Sequence, residues 1–170
     1  SIAVQHAIRM MPQYVDAIRV LEERGLNREI EFLPDDAELA ARIDKGTALT
    51  RPELSVLLSY SKMDFYDALL ASDLPDDKAL DAEIEAYFPA LLSRRFKTQI
   101  HSHRLKREII ATHLGNRFIG QMGMTFHLTL SILMGVSVAE MTRAWLVAES
   151  LMQSDRLVEE IEALDNIVGS

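Results

Sequence analysis

Residues 49–74 read LTRPELSVLLSYSKMDFYDALLASDL, and this stretch decides the fold. It opens on Thr50, Pro52 and Glu53, the pattern of a capping box, in which a threonine hydroxyl and a glutamate carboxylate satisfy backbone amides at a helix start. Pro52 falls in the first turn, where its missing amide costs nothing. Apolar residues then recur every three or four positions, and others lie elsewhere around the helix. The stretch predicts a central helix that is buried on more than one side.

Similar start and stop signals lie on both sides of this helix. The Pro-Asp-Asp sequence at 34–36 places carboxylates at the positive end of a helix that runs to about Lys45. Gly25 follows another run of apolar residues at helical spacing, and Ser137 with Glu140 forms a second capping box. These signals predict helices along most of the chain.

The longest helical pattern runs over about residues 93–122. After it, Thr125 is expected to cap a short helix that ends at Met134, and a last helix is expected from about Asp155 to Ile167. No stretch alternates apolar and polar residues convincingly, as a half-buried strand would. We therefore predict an all-α protein, an irregular bundle of roughly eight helices with little or no strand.

Length and composition indicate one compact domain. A chain of 170 residues has the size of a typical single domain, and 48% apolar with 26% charged residues excludes disorder over most of it. Within that domain we expect residues 1–48 to form an N-terminal helical segment and residues 49–170 the main helical bundle. The chain starts at Ser1 without an initiator Met, so we expect a fragment of a longer polypeptide.

The absence of cysteine and the one long uncharged stretch bear on location. With no cysteine, disulfides, a thiolate zinc site and a cysteine nucleophile are excluded. No signal-peptide pattern is present, and we expect a cytoplasmic protein. Residues 118–139 lack any Asp, Glu, Lys or Arg, but they contain glycines and polar side chains throughout. We expect a buried helix–turn–helix there and no membrane span.

Charge is distributed unevenly along the chain. The net charge is −8, and residues 1–90 carry 18 acidic and 9 basic side chains, whereas residues 91–170 carry 8 and 9. The basic excess lies at 94–117, and the favoured interpretation is either internal pairing with the acidic residues of 73–85 or a solvent-exposed charged face. Nucleic-acid binding is not expected, because the positions scatter around a helix without interleaved aromatic residues. The remaining interpretation is an interface patch, formed by Arg94, Arg95, Lys97 and Arg104.

His103 and Arg107 lie four residues apart on the apolar stripe of the predicted long helix. A guanidinium buried there needs a carboxylate partner, and Asp64 and Asp67 on the central helix are the candidates. A structural ion pair is the favoured interpretation, and a ligand or allosteric site is the alternative. These four residues are candidates for a buried polar group or an interface.

We identify no catalytic, cofactor-binding or metal-binding residue in the sequence. The spacing of the glycines at 115, 120 and 123 does not match GxGxxG, and no strand is predicted before them. The histidines of 101–127 lie two, ten and fourteen residues apart rather than three or four, and HExxH is absent. No GxSxG motif marks a serine nucleophile.

Several long phrases carry a family resemblance. The segments EFLPDDAELAARI, YFPALLSRRF and HRLKREIIATHLGNRFI, together with residues 49–74, resemble the C-terminal part of the large bacterial NAD-specific glutamate dehydrogenases. The resemblance covers about Leu21 to Met152. It implies a helical segment that follows the dehydrogenase core, in a family that oxidatively deaminates L-glutamate to 2-oxoglutarate and ammonia while reducing NAD. The family's catalytic lysine, glutamate-binding residues and nucleotide loop are implied to lie upstream, so no residue here takes those roles.

The resemblance implies a supporting role for this chain. We expect it to be inactive alone, with NAD bound by the parent enzyme and no cofactor in this fragment. Its expected partners are the catalytic core of the same polypeptide and, in a homo-oligomer, neighbouring subunits, with a role in packing, assembly or regulation. The alternative is a stand-alone helical adaptor that binds a protein partner through residues 94–117.

Overall fold

The computed structural model describes residues 2–152, 160–161 and 163–164. Within these residues the chain forms ten α-helices and no strand, which confirms the all-α prediction. Two short 3₁₀ turns, at Leu74–Asp76 and Lys78–Leu80, connect the fourth helix to the fifth. The helices are α1 Ile2–Arg9, α2 Met11–Glu23, α3 Asp36–Asp44, α4 Arg51–Leu70, α5 Asp81–Tyr87, α6 Ala90–Arg95, α7 Lys97–His101, α8 Lys106–Met122, α9 Phe126–Met134 and α10 Val138–Met152.

Helix α4 begins at the predicted capping box. The amide of Thr50 donates to Glu53 Oε2 at 2.6 Å, and the amide of Glu53 donates to Thr50 Oγ1 at 3.4 Å. The fully buried residues of the helix repeat every four positions along one face, and half-buried apolar residues flank that face. Helix α4 contacts α2, α8 and α10, so its predicted central position is confirmed. Its fully buried residues are Leu57, Ser61, Phe65 and Leu69.

Two apolar cores lie along α4. The first, which we call the Phe65 core, contains the second half of α4 with residues from α5, α7, α8 and α10. The second, the Ile18 core, is built mainly by α2 and the segment that follows it, together with Leu57 of α4 and Leu128 of α9. Met124 packs against both cores. Residues 1–48 therefore pack directly on helices of the 49–170 region.

The predicted helix over residues 93–122 is wrong, because the chain breaks there into α6, α7 and α8. Its polar side chains bind backbone groups at the second break. The Ser102 hydroxyl donates to the carbonyl of Thr98 at 3.0 Å, and His103 Nδ1 accepts from the amide of Leu105 at 3.1 Å. Such local bonds offer the backbone an alternative to the helical ladder. The breaks divide one expected helix into three.

The ends of α9 follow the prediction only in part. Gly135 ends the helix in the left-handed region, at φ +65°, as its position suggested. Thr125 makes no side-chain capping bond, so the expected cap is wrong. The Ser137–Glu140 capping box at α10 is confirmed, since the Glu140 amide donates to Ser137 Oγ at 3.2 Å and Glu140 Oε2 accepts from the Ser137 amide at 2.8 Å. The helix expected from Asp155 to Ile167 lies mostly outside the described residues.

In the described part of the chain, each helix taken singly is too short or too polar to cross a membrane. Helices α9 and α10 satisfy the criteria of length and hydropathy only when joined, and a bend of 114° separates them.

Candidate functional site

Arg107 binds a different carboxylate from the ones predicted. Its Nη1 donates to Asp76, and its Nη2 donates to the carbonyls of Leu70 and Ser72 at 2.7 and 3.0 Å. The proposed pairing of Arg107 with Asp64 or Asp67 is therefore wrong. Arg107 lies in the first turn of α8, and its bonds fasten that turn to the end of α4.

His103 and Asp67 are both exposed. His103 lies in the turn between α7 and α8, with its ring 6.1 Å from that of Phe88. The expected apolar stripe with His103 and Arg107 on one helical face does not exist, because the helix is interrupted between them. The four candidate residues do not form one buried site.

Asp64 belongs to a polar cluster that the sequence pattern did not indicate. Its Oδ2 accepts from Arg24 Nη1 at 2.6 Å and lies 3.2 Å from Nε2 of His127, which is fully buried with its ring edge-on to Phe65. Burial raises the pKa of Asp64, but the bonds from His127 and Arg24 outweigh it and hold the pKa below the ordinary 3.8. This cluster joins α4 and α9 to the turn after α2. The one available signal was a lone histidine in an uncharged stretch.

The acidic segment 73–85 pairs internally with the basic region, as the favoured interpretation predicted. Lys97 Nζ lies 3.0 Å from Glu85, and Lys106 binds Asp81. Arg117 Nη1 lies 2.8 Å from Glu83. These bonds join the segment to α7 and α8.

The predicted basic patch is only partly used by such pairs. Arg94, Arg95, Lys97 and Arg104 are all exposed. Arg95 lies over the ring of Phe96, at 5.4 Å from its centroid. Among the described residues, Arg94 and Arg104 contact no carboxylate within ion-pair distance. The patch therefore retains two cations at the surface, beside the exposed apolar side chains of Leu91 and Leu92.

An apolar groove of about 620 Å³ lies between α9 and α10. We call it the α9–α10 groove, and apolar side chains dominate its walls. Met134 and Met152, at its rim, are 67% and 76% exposed. Sequence reasoning expected this region to be a buried helix–turn–helix, which is wrong for its outer face. The principal lining residues are Phe126, Leu130, Met134, Met141, Trp145 and Met152.

The polar groups at the wall of the groove are already bonded to one another. Buried Glu149 accepts from Arg117 Nη2 at 2.5 Å and from Gln121 Nε2 at 2.9 Å. Gln121 Oε1 in turn accepts from the indole nitrogen of Trp145 at 3.1 Å, and Arg117 lies over the Trp145 ring at 5.1 Å. The network stabilises the α8–α10 contact. Its members lie far apart in the sequence, and no spacing pattern predicted it.

Neither a metal centre nor a dinucleotide loop is formed by the described residues. No three of their His, Asp and Glu side chains lie close enough together to hold a metal ion. Gly115 packs inside α8, where a Cβ would lie 3.4 Å from Phe65, and Gly123 ends that helix. The glycines thus serve packing and chain direction.

The comparisons with known proteins place this helical region. The family model described as glutamate dehydrogenase, C-terminal, matches residues 46–170. The chain belongs to this glutamate dehydrogenase C-terminal family. The resemblance noted in the sequence is confirmed, and the family match covers α4 to α10.

Three relatives of this chain are NAD-specific glutamate dehydrogenases. The chain is 42% identical to the protein from Pseudomonas aeruginosa, in an alignment that covers 97% of the chain. It is 44% identical to the protein from Halomonas elongata, in an alignment that covers 90% of the chain. The Mycobacterium tuberculosis protein is 33% identical over 93% of the chain. The chain spans only about a tenth of the length of each relative. No solved structure matches it.

Proposed function

We propose that this chain is the non-catalytic C-terminal helical domain of an NAD-specific glutamate dehydrogenase, and that it packs on the catalytic core of the same polypeptide. The parent reaction converts L-glutamate, NAD and water to 2-oxoglutarate, ammonia and NADH. In this proposal NAD and the catalytic residues belong to the rest of the enzyme. The observation that carries it is the family match over residues 46–170 in a chain that spans a tenth of each relative.

Two further features favour a non-catalytic role for this domain. The chemical groups that the chain places together, such as Asp64 with His127 and Arg117 with Glu149, are used in internal bonds between helices. Large apolar side chains remain exposed on α6, α9 and α10, which is typical of a surface that another part of a protein covers. Assembly as a homo-oligomer in the cytoplasm, with a role in amino-acid catabolism, is part of this proposal.

Deletion in the parent enzyme tests the proposal. The full polypeptide is prepared with and without residues 49–152, and subunit assembly and glutamate-dependent NADH formation are measured. We expect loss of assembly or of activity after deletion. The control carries Glu23→Gln, which changes an exposed charged side chain of α2 and should alter neither property. Unchanged assembly together with unchanged activity in the deletion variant would contradict the proposal.

A stand-alone helical adaptor is the second candidate, and the exposed cations Arg94 and Arg104 favour it. An adaptor that uses this patch should lose its external partner in the triple variant Arg94→Glu, Arg95→Glu, Arg104→Glu. The control with the same charge change is Arg9→Glu, Lys45→Glu, Arg51→Glu, at exposed sites in other helices and turns. Selective loss of a partner in the first variant supports an adaptor, whereas equal behaviour supports the dehydrogenase domain.

A further inference from the structure

The α9–α10 groove presents more apolar surface than the chain itself covers. At its rim the side chains of Met134 and Met152 are mostly exposed. Helix α9 carries no charged Asp, Glu, Lys or Arg side chain that would favour contact with water. Contiguous exposed apolar surface of this kind marks an interaction site.

The chemistry of the groove selects an apolar occupant. Glu149, Gln121 and the Trp145 indole nitrogen are bonded within the network described above. The remaining carboxylate at the wall, Glu140, accepts from the amide and hydroxyl of Ser137. A polar small molecule would find few unused hydrogen-bonding groups there. A row of apolar side chains would instead remove the exposed methionines from water, which is favourable.

The size of the relatives identifies where such an occupant comes from. The chain spans a tenth of their length, so about nine tenths of a comparable polypeptide is tethered to it. A segment tethered through a short flexible linker acts at an effective concentration of about millimolar, and this value falls as the linker lengthens. A free partner protein at ordinary concentration competes poorly with it. An amphipathic helix is the element that fills an open apolar groove between two helices, with anchors three or four residues apart.

We propose that the α9–α10 groove docks an amphipathic helix from the part of the same polypeptide that lies outside these 170 residues. The inference rests on the proposed function and adds the surface and the kind of partner. The helix lies along α9 and α10 with its apolar face toward Phe126, Leu130 and Trp145, and it covers Met134 and Met152. Met63 on α4 lies outside the groove, so a helix docked there does not contact it.

Photo-crosslinking in the full parent enzyme identifies the occupant. A p-benzoylphenylalanine residue replaces Met134 in one preparation and Glu23, an exposed charged residue outside the groove, in the control. We expect position 134 to crosslink to a peptide outside residues 1–170 of the same copy, and position 23 to give no such product. Mixed light and heavy isotope preparations separate links within one copy from links between copies. A link to residues 153–170, to a second copy or to lipid, or no link above the control, overturns the inference.

Methionine oxidation in the unmodified parent enzyme gives an independent measure. Met134 and Met152 are more exposed in this chain than Met63, which is 48% exposed. Since oxidation follows exposure, an empty groove predicts that these two react faster than Met63. A docked helix predicts the reverse, with Met63 oxidised faster than Met134 and Met152. Faster oxidation of Met134 and Met152 overturns the inference. Both measurements report whether the groove is occupied, and neither depends on enzyme activity. If the groove is empty while deletion of residues 49–152 still impairs the parent enzyme, this inference is overturned and the proposed function stands.

Discussion

Gly120 and Gly123 lie three residues apart near the end of α8, and their backbone conformations differ, so that alanine is compatible with the first position and not with the second. Gly120 is helical and a Cβ added to it meets nothing within 4 Å, whereas Gly123 has φ +89° and ψ 157°. We expect Gly120→Ala to raise the free energy of unfolding by about 0.5–1 kcal/mol, since glycine weakens a helix interior. Gly123→Ala should lower it by about 1–3 kcal/mol, because that backbone region is open almost only to glycine. Urea unfolding of the two variants measures both changes, and equal effects would contradict this account.

Asp64 links stability to pH through its low pKa. In Asp64→Asn the negative charge that accepts from Arg24 and contacts His127 is lost, and we expect the free energy of unfolding at pH 7 to fall by about 1–3 kcal/mol. A carboxyl whose folded pKa is lowered stabilises the fold above its unfolded pKa and loses that contribution as pH falls through the folded pKa. The difference between wild type and variant should therefore close as pH falls below 3.8.

Asp67→Asn is the matched control for this measurement. Asp67 lies one turn away from Asp64 on the same helix and is exposed. Its substitution should change stability little, since exposed charges contribute little. A difference between wild type and Asp64→Asn that stays constant with pH would contradict the assigned role of the carboxylate.

The side-chain partners in this fold depend on tertiary structure that a single sequence does not display. The need of Arg107 for a carboxylate was predictable from its chemistry, but the choice of Asp76 over Asp64 depends on where the turn after α4 places each group. The Asp64–His127 contact joins residues 63 positions apart. Residue type thus predicted the kind of bond, and the fold determined its partner.

Helix starts were predictable because a cap is a local interaction. The bonds at Thr50 and Ser137 involve residues only three positions apart, so the sequence contains all of their geometry. The breaks at Phe96 and at 102–105 were not predictable, because the apolar spacing of the sequence continues across both of them. Periodicity indicates which face is apolar, but it does not reveal where the hydrogen-bond ladder is interrupted.

Removing the cap of α4 should weaken the whole fold, since this helix borders both cores. In Thr50→Ala the amide of Glu53 loses its acceptor, and we expect the free energy of unfolding to fall by about 1 kcal/mol. Thermal or urea unfolding of the chain measures the change. The control is Ser59→Ala in the same helix, whose hydroxyl bonds only to the carbonyl of Ser55 and should matter little. Equal loss in the two variants would argue against the cap.

At the scale of the whole molecule, the fold class and the family were predictable from the sequence, but the position of the open groove was not. The all-α class, the caps and the family followed from local patterns and from phrases such as the one at 49–74. The α9–α10 groove did not, because the uncharged stretch that forms one wall is equally compatible with a buried helix pair. Which apolar face remains uncovered is a property of the assembled helices.

Residues 1–48 and 49–170 are expected to unfold together, because the Ile18 core is shared between them. Removing residues 1–45 would expose Leu57 and Leu128, which are now fully buried, along with their half-buried neighbours Leu54 and Tyr60. At about 1.5–3 kcal/mol for each large side chain, this loss approaches the 5–15 kcal/mol that holds an average domain together. We expect the shortened chain to be largely unfolded or aggregated, and the complete chain to unfold in one cooperative transition followed by circular dichroism. A stable 46–170 fragment with an unchanged melting temperature would instead make the N-terminal segment an independent unit.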